Sequence, residues 1–296
     1  MKRFLLPFAL CASAFWTAPA DAGLTGYLAL GDSLAFGVGT NDSPTDVSNG
    51  DRGYVGDYAN TLASLNNGTR PRVINLGVSG ESSSSFFGNG IGLDGSDASK
   101  RNTNYTGSPL PSQDALMLST IAAQQAAGNT ISTVSISLGA NDLFIALATG
   151  SPFDQTLAAF QHNELTLLTQ IRTLLPSANL LLLGYYDPYA PFVNDPKSPF
   201  YGVAQASSLA IPAINQYLVA DAAAFQASYV DLATPFRGHE LEYTYIATGN
   251  VHPNSTGYLV IANSMAMVPE PSSVVLLGLG LSAAAGRFLW RGRRAA

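Results

Sequence analysis

The sequence predicts a flavodoxin-like α/β fold, in which a doubly wound sheet of about five parallel strands lies between two layers of helices (three layers, α/β/α). One observation is that five short runs of apolar or β-branched residues alternate with longer helical patterns. Another is that most of these runs are continuously apolar, as in strands that are buried on both faces of a parallel sheet. Strand and helix repeat five times without a break in composition, which favours one domain.

Each predicted element rests on its own local pattern. The predicted strands are residues 27–30, 73–76, 133–138, 180–183 and 229–232. The predicted helices are residues 54–65, 113–127, 153–175, 203–225 and 253–267. Gly68 and Gly128 follow two of the helix ends, and Pro152 and Pro253 stand where the start of a helix tolerates proline.

Two stretches show no periodicity. Residues 81–112 are rich in Ser, Gly and Asn and long for a loop in a compact domain, so they form either a flap beside the substrate or a mobile loop. Residues 187–201 are rich in proline and aromatic residues and are also predicted to be irregular.

The N-terminus has the pattern of a secretory signal peptide. Lys2 and Arg3 precede an apolar run, and small residues follow it up to Ala22. We predict a signal peptide over residues 1–22, cut by signal peptidase after Ala22 or else after Ala20. The alternative is a membrane anchor, for which the apolar run is short. The single cysteine, Cys11, lies in this segment, so the mature chain would contain no thiol.

The C-terminus combines Pro269-Glu270-Pro271, an apolar stretch and a final arginine cluster. This arrangement resembles the PEP-CTERM sorting signal of Gram-negative bacteria. The resemblance implies processing of residues 269–296 by an exosortase, transient membrane association through the tail, and delivery to the cell surface or extracellular matrix. An ordinary C-terminal anchor helix is the alternative. Residues 23–268 remain as the predicted functional domain.

The predicted domain is strongly acidic. Residues 23–268 hold eight basic and 18 acidic residues, a formal charge of −10. Such a surface repels nucleic acid and other polyanions at long range, so we expect no nucleic-acid partner and a neutral or weakly polar substrate.

Polar residues follow the predicted strands at their carboxyl ends, where ligands bind in open α/β sheets. The four segments that carry them are Gly31-Asp32-Ser33-Leu34, Asn75 to Gly80, Gly139-Ala140-Asn141-Asp142 and Val251-His252-Pro253. A serine after a strand is, taken alone, more often a helix cap, and Asn141 could likewise cap a following helix. The order of the four segments is more specific than any one of them.

Together these motifs resemble the SGNH/GDSL hydrolases, and they span nearly all of the predicted domain. The resemblance implies a serine esterase that needs no cofactor, with Ser33 as nucleophile and His252 as general base. The signals at the two ends of the chain predict that this esterase is secreted. It also implies an oxyanion hole made of the backbone N–H groups of Ser33 and Gly80 and the side-chain amide of Asn141. The expected partner is an ester substrate, either a small ester or an acyl group on a polysaccharide.

One position departs from the family pattern. The family usually has an aspartate three residues before the histidine, where this chain has Gly249. We predict a Ser33–His252 dyad in which a main-chain carbonyl near Gly249 accepts from the imidazole. A carboxylate from elsewhere, such as Glu240 or Glu242, and an inactive site are the alternatives.

The remaining candidate residues carry weaker signals. His162 lies in a polar stretch with Glu164 that reads as a solvated helix face, and no motif supports His239. Asp32 and Asp142 lack the neighbours of a metal site and are predicted to shape turns, so we expect no metal. Deacetylation of an extracellular polysaccharide is the favoured refinement of the esterase hypothesis. A catalytically inactive surface or matrix binding protein on the same fold is the competing hypothesis.

Overall fold

The computed structural model describes residues 25–39, 50–88, 101–102, 105 and 109–268. Its centre is a five-stranded sheet in the order β2-β1-β3-β4-β5, and every neighbouring pair is parallel. The strands are β1 (Thr25–Gly31), β2 (Arg72–Asn75), β3 (Thr130–Ser137), β4 (Asn179–Leu183) and β5 (Ser228–Val230). The predicted doubly wound α/β fold is confirmed, and each predicted strand overlaps an observed one.

Helices connect the strands and cover both faces of the sheet. The longer ones are α2 (Gly53–Leu65), α4 (Gln113–Ala126), α5 (Ala140–Thr149), α6 (Phe153–Leu174), α7 (Tyr201–Ala224) and α10 (Ser255–Met267). The four-residue helices are α1 (Ser33–Phe36), α3 (Ser83–Phe86), α8 (Ala233–Phe236) and α9 (Glu240–Tyr243). None of the helices in the described part of the chain is long and apolar enough to cross a membrane.

Alternate residues of the strands enter different cores. Tyr27 and Ala29 of β1 pack with α2, α7 and α10 on one face of the sheet. Leu28 and Leu30 pack with α4 and part of α6 on the other. Both sets are buried, which explains why the strands read as continuous apolar runs.

Two of the longer helices differ clearly from the sequence prediction. The sequence predicted no helix between the third strand and residue 153, yet α5 occupies Ala140–Thr149. Residues 143–148 form an unbroken apolar run, so the sequence shows no alternation of polar and apolar positions from which a helical period could be read. The last helix begins at Ser255 rather than at Pro253, because the Asn254 side chain caps it by accepting from the Gly257 N–H.

Several sequence predictions lie wholly or partly outside the described residues. The predicted signal peptide and C-terminal sorting segment do so, as does much of the predicted flap at residues 81–112. The described part of that segment includes α3. Residues 187–200 are irregular as predicted, with one 3-10 turn at Ala190–Phe192, whereas Tyr201 already belongs to α7.

Candidate active site

Gly31 allows β1 and β3 to approach closely just before the predicted nucleophile. Its φ is +128°, and a Cβ atom there would lie 2.0 Å from the Ser137 carbonyl oxygen. Asp32 follows and caps α1, because its side chain accepts from the Leu34 N–H at 2.9 Å. Ser33 therefore lies at the first position of α1, beyond the carboxyl end of β1.

Asp32 fixes the turn that carries Ser33. Its carboxylate also accepts from the Ser137 hydroxyl and the Tyr185 hydroxyl, both at 3.0 Å, and so joins the ends of β1 and β3 to the loop after β4. Burial raises the pKa of Asp32 to about 6, and its hydrogen bonds to Leu34, Tyr185 and Ser137 oppose that shift. The role of Asp32 in this structure is that of a hydrogen-bond acceptor that shapes the turn.

Three donors predicted for an oxyanion lie at neighbouring strand ends. The backbone N–H groups of Ser33 and Gly80 have no hydrogen-bond acceptor within the described part of the chain. Gly80 has φ +87°, a conformation that glycine adopts without strain. Asn141 is buried, and its Nδ2 donates to the Glu81 carbonyl oxygen at 2.9 Å. Because an amide nitrogen carries two hydrogens, the second N–H of Asn141 can still serve a ligand.

A buried network holds these segments together. The Asp142 carboxylate accepts from the Ser83 N–H at 2.8 Å and from the Ser83 hydroxyl at 2.6 Å, which links α5 to α3. Burial raises the pKa of Asp142, whereas its hydrogen bonds to Ser83 lower it. Gln113 bonds both the N–H and the carbonyl of Gly31 and donates to Glu81 at 3.2 Å. Sequence reasoning missed Gln113, because nothing but its place at the start of α4 marks it.

His252 lies in the segment before α10, and backbone and side-chain contacts hold that segment in place. The His252 carbonyl accepts from the Tyr245 N–H at 3.0 Å, and the Val251 carbonyl accepts from the Tyr186 hydroxyl at 2.8 Å. The Nδ1 atom of His252 lies 2.6 Å from Oδ1 of Asn250. The same oxygen accepts from the His252 N–H at 3.1 Å. Asn250 therefore forms an Asx turn with the backbone of His252, and its oxygen also contacts the imidazole ring.

The structure corrects the prediction for Gly249. Nδ1 of His252 contacts the Asn250 side chain rather than a main-chain carbonyl near Gly249. Gly249 is exposed, has φ +84° and ends the 3-10 turn Ile246–Thr248. This left-handed turn is followed directly by Asn250, whose side-chain oxygen contacts both the backbone N–H and the Nδ1 atom of His252. The observed contact of Nδ1 therefore comes from two residues before the histidine and not from three.

The two carboxylates considered as alternatives have other partners. The Glu240 side chain accepts from the Gly238 N–H, and the Glu242 carboxylate lies 2.9 Å from Nδ1 of His239. His162 is exposed on α6, as predicted, but Glu164 beside it is buried.

One cavity of about 490 Å³ brings the predicted catalytic residues together. Ser33, Gly80, Asn141 and His252 all line it, whereas Gly249 does not. Among the described residues, no cluster of three or more His, Cys, Asp or Glu side chains could hold a metal ion. The arrangement offers a hydroxyl, an imidazole and amide donors to one ligand.

Comparison with known proteins agrees with this geometry. The model of the GDSL-like Lipase/Acylhydrolase family matches residues 29–260. The chain belongs to this family. It is therefore a hydrolase that acts on ester bonds. The PEP-CTERM protein-sorting motif matches residues 268–294, and this motif indicates export and a surface or extracellular location.

Solved structures share the fold of this GDSL-family chain. The lipase Lip_vut3 from a goat rumen metagenome is 21% identical with a TM-score of 0.57, over 82% of this chain and 96% of that one. A catalytic mutant of Axe2, an acetylxylan esterase from Geobacillus stearothermophilus, is 17% identical with a TM-score of 0.54, over 82% of this chain and 93% of that one. No curated protein matches the sequence.

Proposed function

We propose that this GDSL-family chain is a serine esterase that cleaves carboxylic esters through an acyl-Ser33 intermediate. The observation that carries the proposal is the shared cavity, whose wall includes Ser33, Gly80, Asn141 and His252. A hydroxyl beside an imidazole can be activated as a nucleophile, and amide donors can stabilise the oxyanion that forms.

The reaction follows from these groups in two halves. The Ser33 oxygen attacks the ester carbonyl while His252 takes its proton, and the oxyanion accepts from the N–H groups of Ser33 and Gly80 and from Asn141. His252 then gives the proton to the leaving alcohol, and the acyl group stays on Ser33. In the second half a water gives its proton to His252 and attacks the acyl group, and the carboxylic acid leaves as the Ser33 hydroxyl forms again.

Turnover of chromogenic esters tests this proposal. We expect the domain to hydrolyse 4-nitrophenyl esters and to be labelled by a fluorophosphonate probe at Ser33. The Ser33→Ala variant should lose both, whereas Ser119→Ala, an exposed serine on α4, should retain both. His252→Gln should lose turnover, and the exposed His162→Gln serves as its control. Turnover that survives Ser33→Ala would refute the assigned nucleophile.

The competing hypothesis of an inactive binding protein has one observation in its favour. The Nδ1 atom of His252 lies against the neutral amide oxygen of Asn250, which stabilises an imidazolium less than a carboxylate would. Absence of both turnover and fluorophosphonate labelling in a folded domain would support that hypothesis.

The proposal includes the site of action. The sorting motif supports export, and the predicted signal peptide would supply the route through signal peptidase. We propose that an exosortase processes the tail and that the enzyme acts at the cell surface or in the extracellular matrix of a Gram-negative bacterium. Acetyl groups on an extracellular polysaccharide are one class of ester that such an enzyme would meet there.

A further inference from the structure

The cavity beside Ser33 continues into an apolar chamber between α5 and α7. Its walls include Leu143, Phe144 and Leu147 from α5, and Val203 and Ile211 from α7. No lysine, arginine or glutamate is present among the described residues that line it. The single carboxylate that the described chain contributes to this wall is that of Asp32, which is buried and hydrogen bonded to Ser137 and Tyr185. The chamber therefore offers dispersion contacts and few hydrogen bonds.

We infer that this chamber binds the acyl chain of the substrate and that the enzyme prefers linear acyl groups of about six to eight carbons to acetyl. This inference rests on the proposed serine esterase. An acetyl group adds only one methyl to the carbonyl carbon, whereas the cavity measures about 490 Å³, many times the share of about 30 Å³ that a water occupies in the liquid. An acetyl substrate would leave most of this apolar space without a contact.

The direction of the chain follows from α5. Asn141, the proposed oxyanion donor, lies in the first turn of α5, and Leu147 lies six residues further along the same helix. At about 1.5 Å per residue the two are separated by about 9 Å along the helix axis. A carbonyl held at Asn141 can therefore extend its substituent along the apolar side of α5 towards Leu147.

The acyl side of the ester is the side that fits this path. The leaving oxygen must stay beside His252, which gives it a proton. His252 lies in a partly exposed segment next to the exposed residues 247–250, at the other border of the cavity. The alcohol therefore leaves on the side of His252, and the acyl chain occupies the chamber between α5 and α7.

A series of 4-nitrophenyl esters from acetate to dodecanoate tests the inference, because the leaving group stays the same. We expect kcat/KM to rise by about fourfold per methylene up to about eight carbons, since each buried methylene contributes about 0.8 kcal/mol. A second series of acetate esters with lengthening alcohols should give a flat response. Highest activity on acetate, or a rise with alcohol length alone, would overturn the inference.

A variant on each face of α7 makes the test specific. Ile211→Trp fills the chamber and should lower the ratio of octanoate to acetate turnover by about tenfold or more. Leu209→Trp adds the same side chain at a position that is 75% exposed outside the cavity and should leave the ratio unchanged. Fluorophosphonate labelling distinguishes a failure of the acyl-chamber inference from a failure of the esterase proposal. A labelled enzyme that prefers acetate refutes the acyl chamber alone, whereas an unlabelled folded protein refutes the esterase.

An independent observation concerns the imidazole. The geometry points to Asn250 as the positioning residue of His252, a role that also rests on the proposed function. With Nδ1–H donating to Oδ1 of Asn250 at 2.6 Å, Nε2 keeps the lone pair that a general base needs. The amide oxygen is neutral, so it fixes the ring and its tautomer but stabilises the imidazolium less than a carboxylate would.

The pH profile distinguishes this role from a structural one. Asn250→Ala should lower kcat/KM by about 100-fold, because the base loses its orientation. Asn250→Asp should restore activity and move the acid limb of kcat/KM to higher pH by about one unit, because a carboxylate favours the imidazolium. Thr248→Ala, in the same loop, is the control. Near-normal kcat/KM in Asn250→Ala, or an unmoved acid limb in an active Asn250→Asp, would refute the assignment.

Discussion

Glu164 lies on α6 with its carboxylate fully buried. Neither carboxylate oxygen has a hydrogen-bond partner among the described residues. Burial, together with the smaller effect of the nearby carboxylates of Asp221 and Asp142, raises the pKa of Glu164 to about 8. Glu164 is therefore mostly protonated in the folded protein at neutral pH.

This pKa predicts how the free energy of unfolding depends on pH. Glu164 takes up a proton on folding between its unfolded value of 4.5 and its folded value of about 8. Its contribution to stability is complete below pH 4.5 and is lost as the pH rises to about 8. Glu164→Gln removes this dependence, and we expect the variant to be more stable than wild type by at least about 1 kcal/mol at pH 8.

Urea unfolding at pH 5, 6.5 and 8 measures that difference. The gain in stability of Glu164→Gln over wild type should grow with pH. The control is Glu242→Gln, since the Glu242 side chain is 63% exposed. A gain that stays constant from pH 5 to 8 would show that Glu164 is ionised in the folded protein.

Asn141 carries a separate prediction, which concerns the transition state. Asn141→Ala removes one oxyanion donor, so kcat should fall by about 10²–10³-fold. Fluorophosphonate labelling should slow as well, because the same donors assist attack on phosphorus. Asn129→Ala, at a loop before β3, is the control. Activity within a few fold of wild type would remove Asn141 from the proposed oxyanion hole.

At the scale of elements, β1 contains two glycines that differ in whether they leave room for a Cβ atom. A Cβ at Gly31 would lie 2.0 Å from the backbone of β3, at a φ of +128°. A Cβ at Gly26 would meet its nearest atoms at an ordinary 3.6 Å. Gly31→Ala must therefore separate β1 from β3 exactly where Ser33 is positioned.

We expect Gly31→Ala to lower the free energy of unfolding by at least about 2 kcal/mol and to reduce ester turnover, whereas Gly26→Ala should change stability by less than about 1 kcal/mol. Thermal unfolding of the two variants and wild type gives the comparison. Equal melting temperatures for the two variants would mean that the strand ends can separate at little cost.

The elements differ in how well the sequence predicted them. Strands such as β1 and β4 were predicted because burial on both faces favours an unbroken apolar run. The helix α5 was not, since its apolar residues face both the core and the acyl chamber. The candidate catalytic residues could be predicted because the four motifs that contain them occur in the same order as in the SGNH/GDSL hydrolases. Asn250 could not, because its role depends on a left-handed turn at Gly249 that no local pattern required.

For the molecule as a whole, the last described helix ends where the sorting motif begins. The helix α10 ends at Met267, and the PEP-CTERM match starts at residue 268. Loss of the tail would therefore leave every strand and helix of the described domain intact. The strongly acidic domain and the basic tail are also separated in the sequence at this point.

Processing at both ends predicts the mass and the chemistry of the mature protein. We expect the protein recovered from the cell exterior to begin at Gly23, or at Asp21 if signal peptidase cuts at the second site. We also expect it to lack the arginine cluster. Since Cys11 would be removed, a maleimide reagent should not label it under denaturing conditions. Intact-mass measurement with N-terminal sequencing checks both ends.

Glu270→Ala, which changes the Pro-Glu-Pro, should leave the tail in place and the protein bound to the membrane fraction. Recovery of the full-length mass from the exterior, or a labelled thiol, would contradict the predicted processing while leaving the ester chemistry of the domain untouched.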